Sequence, residues 1–150
     1  MLENQIEDDI KAALLAKEQM RATVLRTIKA ALLNYKVANG KRQTGITDEE
    51  VMGILAKEAK KRQESADLYK QGGSDERADI ELAEKALIEQ YLPAQLSEAE
   101  MAVLVDETVD ATGANSAQDM GMVIGQVKAK AGPAADGALI AKLVKARLGA

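Results

Sequence analysis

Apolar residues recur three and four positions apart along most of the chain, the spacing that gathers side chains on one face of an α-helix. Leu2, Ile6, Ile10, Ala13, Leu14 and Lys17 hold it, with Glu7, Asp8 and Asp9 in the early turns, so a first helix is predicted over 2 to about 18. Val24, Ile28, Ala31 and Tyr35 mark a second from about Met20 to Ala38, stopped at Asn39-Gly40, where the glycine accepts a left-handed backbone. Lys41 to Gly45 is a polar, basic loop. Thr47-Asp48-Glu49-Glu50 then has the form of a capping box, in which hydroxyl and carboxylate each satisfy the other residue's free amide. A long third helix follows through Val51, Leu55, Ala59, Ala66 and Tyr69 to Gly72-Gly73. Ser74 is placed to cap a fourth that runs to about Tyr91.

Pro93 turns Leu92 away from the helical region, and Ser97-Glu98-Ala99-Glu100 is a second capping box. The helix it opens carries Met101, Leu104, Val105 and Val109 up to Gly113. Ser116 can cap the next, with Met120, Val123, Ile124 and Val127 on its apolar side. Asp136 can cap the last, with Leu139, Ile140, Leu143, Val144 and Leu148. No alternating β-branched run interrupts this pattern. The expected fold is all-α: a four-helix N-terminal domain over 1–93, a linker at 94–96, and a small three-helix C-terminal domain over 97–150.

Composition narrows the chemistry. The chain has no cysteine and no histidine, so it lacks a thiolate nucleophile, zinc–sulfur ligands and the side chain best suited to proton transfer near neutrality. Its carboxylates lie in first helical turns or within reach of Lys and Arg, where they stay ionised, and no phosphate loop or dinucleotide fingerprint occurs. No catalytic residue, metal or cofactor is therefore expected. No apolar run approaches the roughly 20 residues of a membrane span, and the acidic start is unlike a signal peptide. The expected setting is the reducing cytoplasm, away from membranes.

Charge is unevenly spread. From Ile10 to Arg42 Glu18 is the one acid, against eight Lys and Arg residues, and Arg26, Lys29 and Lys36 gather beside the apolar face of the second helix. In the last third the acids precede residue 120 except for Asp136, whereas Lys128, Lys130, Lys142, Lys145 and Arg147 make the end basic. Both clusters suit RNA phosphates. Both also suit neutralisation by acidic helices of the same chain, and the two accounts stay open. Arg62 lies on the apolar side of the third helix, where Glu81 or Glu84 of the fourth is a possible partner. Gly121 and Gly125 are spaced for close approach of a neighbouring helix, and Gly132 to Gly137 reads as a turn plus cap. A net charge of −4 with 2% aromatic residues opposes indiscriminate nucleic-acid binding and offers no stacking platform, so any RNA would be recognised as a folded shape and no DNA is expected.

Several runs resemble YqeY-type proteins, which are related to the C-terminal helical and tail regions of the GatB subunit of tRNA-dependent amidotransferases. They are Val24 to Ala31 (VLRTIKAA), Lys57 to Ser65 (KEAKKRQES), Tyr91 to Glu98 (YLPAQLSE), Met120-Gly121 with Val123-Ile124-Gly125, and Ala135-Asp136-Gly137 before the terminal helix. The resemblance covers nearly the whole chain, and Tyr-Leu-Pro-x-Gln-Leu-Ser is its most specific element. It implies a helical N-terminal domain and a small helical tail, which in GatB takes part in tRNA recognition. The glutaminase and kinase-like centres of that complex lie in other domains and subunits, so none of their residues carries over. Relatives often have basic residues flanking the Asp-Gly, whereas this chain has Pro133, Ala134 and Ala138. The resulting expectation is a non-catalytic tRNA-binding or accessory module associated with glutamine-dependent amidation of mischarged aminoacyl-tRNA. Its partners would be folded tRNA and an amidotransferase or aminoacyl-tRNA synthetase complex. The alternative is a protein-interaction module that does not bind RNA.

Overall fold

A computed structural model describes residues 1–149 of the chain. Its described residues are all-helical and contain no strand. The helices are α1 (Leu2–Leu15), α2 (Gln19–Ala38), α3 (Asp48–Gln71), α4 (Asp75–Glu89), α5 (Glu98–Thr112), α6 (Met120–Ala131) and α7 (Gly137–Leu148), with a 3₁₀ turn at Ala117–Asp119 leading into α6. Two compact units result, Met1–Pro93 and Ala94–Ala150.

In the first unit, Ile6 and Ile10 of α1, Val24, Leu25, Ile28 and Leu32 of α2, Val51, Leu55 and Ala59 of α3, Ile88 of α4 and the loop residue Ile46 form one buried cluster. Helix α1 is shorter than its periodicity predicts. Lys17 takes a left-handed backbone, φ 59°, and its N–H bonds the Leu14 carbonyl while that of Glu18 reaches back to Ala13. This paired closure ends a helix, and here a lysine holds the position that glycine fills at Gly40 and Gly73. Ser74 also departs from expectation. It precedes α4, but its hydroxyl makes no capping bond; its amide instead closes the α3 turn onto the Tyr69 carbonyl at 2.8 Å. The predicted boxes at Thr47/Glu50 and Ser97/Glu100 both form.

Helices α3 and α4 run antiparallel beyond this core as a two-helix arm. Past Ala59 the arm's seam buries only small side chains, Ala66 and Ala78, both 0% exposed. Between them and the core the seam is ionic. The Arg62 guanidinium lies 3.3 Å from the Glu58 carboxylate and 3.2 Å from that of Glu84, and Glu58 also receives Lys61 at 3.0 Å. Glu84, rather than Glu81, is thus the partner across the hairpin. At this level ion pairs, and not large buried apolar side chains, bridge the two helices.

The second unit packs α5, α6 and α7 around Met101, Val105, Val109, Val123, Val127, Ile140 and Val144. Buried Thr108 is satisfied within its own helix, donating to the Leu104 carbonyl at 2.7 Å. The glycine pair on α6 does not form a helix-packing seam. A Cβ at Gly121 or Gly125 would meet nothing within 4 Å. Val123 and Val127 make the contacts instead, and they lie two residues, about 200° of helical rotation, away from the glycines.

Candidate nucleic-acid interface

The basic side of α2 is largely matched by acids of α1. Residues four apart present on one helical stripe, so Glu3 and Glu7 line up against Lys36 and Lys29 of the antiparallel neighbour. Lys29 Nζ lies 3.1 Å from Glu7, and Lys36 pairs with Glu3 in a partly buried setting. Arg26 is exposed and forms no ion pair among the described residues. Lys41, from the loop after α2, donates to Glu50, which also accepts from Tyr35 Oη at 3.1 Å and from the Thr47 amide at 2.9 Å. These donors, Lys41 foremost, bring the Glu50 carboxyl down to about 2. The capping motif was legible in the sequence; the Lys41 and Tyr35 that converge on it were not, because the loop between them had no periodicity to place it.

The tail sorts its charges differently. On α7 the core-facing line runs through Ile140 and Val144, and Lys142 and Lys145 lie on the opposite side, both exposed. Neither has an ion-pair partner among the described residues, and Lys130, at the end of α6, is likewise exposed and unpaired. Lys128 is exposed and leans over the start of α7: a Cβ at Gly137 would lie 3.5 Å from its Nζ. Lys128 and Lys130 are about 200° apart around α6 and so do not share its face. Arg147 stands apart from the lysines. It is seven residues after Ile140, on the same line, and turns toward α5. Its Nε donates to Asp106 Oδ1 at 2.9 Å and its Nη2 to Asp110 Oδ1 at 3.2 Å.

The Tyr-Leu-Pro-x-Gln-Leu-Ser run acquires a structural role residue by residue. Tyr91 Oη donates to Asp9 of α1, beside Arg21 of α2, and burial followed by that hydrogen bond to a carboxylate pushes its phenol up to about 12. Gln95 Nε2 donates to the Ala134 carbonyl at 2.8 Å, in the turn that leads to α7. Ser97 and Glu100 cap α5. The motif therefore ties the end of α4 into the first unit with its tyrosine and the segment before α5 into the second with its glutamine. The expected linker residues 94–96 include this anchored Gln95.

Of the perturbed groups, Glu50, Arg21, Lys41 and Asp119 are shifted chiefly by a hydrogen-bond partner, and Tyr91 by burial first and its bond to Asp9 second. No three acidic side chains gather as metal ligands among the described residues. No described helix is long and apolar enough to cross a membrane.

A family model described as Yqey-like protein matches residues 3–148. Among curated proteins, the chain is 30% identical over 89 residues to altered inheritance of mitochondria protein 41, mitochondrial, of Clavispora lusitaniae. That alignment covers 59% of this chain and 50% of the relative, so the matched region spans half of the relative's length.

Proposed function

We propose, from the premise that the chain belongs to the YqeY-like protein family, that its second unit binds folded tRNA. In this reading the protein acts as a non-catalytic accessory to tRNA-dependent amidation, alongside an amidotransferase or aminoacyl-tRNA synthetase complex. The observation that carries the proposal is the set of exposed lysines Lys130, Lys142 and Lys145, unpaired among the described residues, on helices whose acidic neighbour α5 is engaged by Arg147 instead. Lys128 adds a fourth ammonium near the start of α7. Lysines of this kind read phosphate without base specificity, consistent with recognition of an RNA shape. On α2, Arg26 is the cation left open for a second contact, because Lys29 and Lys36 are already paired.

The test is equilibrium binding of a folded tRNA transcript to the wild type and to Lys142→Ala/Lys145→Ala. The double substitution should weaken different tRNAs about equally and make the log–log salt slope shallower by about 0.7–0.9 per lost contact. Both lysines lie off the apolar face and Ala is the better helix former, so helix content should hold. Affinity and slope unchanged by the double substitution would refute the assignment. A second reading, a protein-interaction module, has its own support in exposed Val103 and Met122, at 55% and 45%. Docking through them would be nearly insensitive to salt.

A further inference from the structure

The tail carries five basic residues on α6 and α7, but one of them is held in a different way from the rest. Arg147 sits in the last turn of α7 on the line of Ile140 and Val144, where a charged side chain must leave the seam sideways. It leaves toward α5, and the two carboxylates it meets there are four residues apart, the spacing that puts both on one stripe of that helix. Its Nε and Nη2 each take one of them, at 2.9 and 3.2 Å. The pair is solvent-exposed, with the Asp106 and Asp110 side chains at 57% and 74%, so a phosphate would have to compete with two carboxylates for this guanidinium, a competition that Lys142 and Lys145 do not face among the described residues.

We infer that Asp106 and Asp110 decide which face of the tail meets phosphate: they withdraw Arg147 from the RNA-contacting set and close the α5 side to RNA. The inference rests on the tRNA reading above and deepens it. Arg147 is two residues, about 3 Å along the axis, from Lys145. It is also about 200° of helical rotation from Lys145, so, released from its carboxylates, it would offer phosphate one more contact at the basic end of α7 on the α5 side, not on the lysine face. The acidic pair thus sets both the number of contacts and the orientation in which RNA approaches.

The experiment uses the full chain, the same tRNA transcript, and three proteins: wild type, Asp106→Asn/Asp110→Asn, and that double variant with Arg147→Gln added. The asparagine pair should tighten binding and steepen the salt slope by about 0.7–0.9, the increment for one added phosphate contact. Adding Arg147→Gln should return the slope to its wild-type value. Circular dichroism checks that all three keep their helices. If the wild type binds but the asparagine pair leaves its slope unchanged, the inference fails and the tRNA reading stands. A steeper slope that survives Arg147→Gln also overturns it, since the gain then comes from lost repulsion alone. If neither wild type nor variant binds at low salt, both fail. If only the asparagine variant binds, and does so through Arg147, the acidic pair is the barrier inferred here.

Discussion

Replacing Arg62 with Met should destabilise the first unit far more than an ordinary surface substitution. Methionine preserves most of the buried stem, so the main loss is the guanidinium between Glu58 and Glu84. Glu58 is 8% exposed, and a carboxylate left there without its partner carries the penalty of a broken buried pair, about 3–5 kcal/mol. Two features reduce that figure. Glu58 keeps Lys61, whose side chain is 67% exposed, and the Glu84 side chain retains 24% of its exposure, so water and a lysine screen part of the charge. The expected loss is about 2–4 kcal/mol. Tyr35, Tyr69 and Tyr91 all lie in the first unit and none in the second. Tyrosine fluorescence in a urea titration therefore follows the arm-bearing unit by itself, and far-ultraviolet circular dichroism follows both. The midpoint by fluorescence should fall sharply, and adding Glu58→Gln should recover part of it by removing the stranded charge. A loss under about 1 kcal/mol, within the range of exposed pairs, would show that charge does not hold the arm.

Three further outcomes follow from the geometry. Gly121→Ala and Gly125→Ala should each raise stability by about 0.5–1 kcal/mol in thermal unfolding, because the added methyl meets open space and alanine favours the helix; a loss at either would mean that a neighbour packs there. Glu50 is depressed from 4.5 to about 2, so the stability it contributes is complete above pH 4.5 and disappears as pH falls toward 2. The gap in urea midpoint between the wild type and Lys41→Met should shrink through that window, and a constant gap would contradict the Lys41 contact. Tyr91 is raised from 10 to about 12, so its contribution is complete below pH 10 and lost as pH rises to 12; ultraviolet absorbance should show one late-titrating tyrosine that Tyr91→Phe removes.

How much of this was legible in the sequence depends on the range of the interaction. Helices and capping boxes were, because the apolar period and the Thr-x-x-Glu and Ser-x-x-Glu spacings act within a few residues. The end of α1 was missed because its stop is a lysine in a conformation that glycine usually signals. Arg62 was legible as a cation on the apolar side of α3, where its side chain is 13% exposed, and the hairpin register then selected Glu84 over Glu81. Gly121 and Gly125 misled because spacing shows that two glycines share a face, not whether anything packs against it. Among the charges, the sequence marked both basic clusters but not which members were already paired. Arg147 meets Asp106 and Asp110, 41 and 37 residues away along the chain, a pairing that only the three-helix packing creates.

The central claim is that the tail's free lysines contact RNA phosphate, and the salt dependence of wild-type binding tests it most directly. A folded tRNA transcript titrated with the full chain at ionic strengths between about 25 and 200 mM gives log K against log salt. Three to four lysine contacts predict a straight line with a slope of about −2 to −3.5. No binding at the lowest salt, or a slope near zero, would contradict the account and leave the tail as a protein-docking surface.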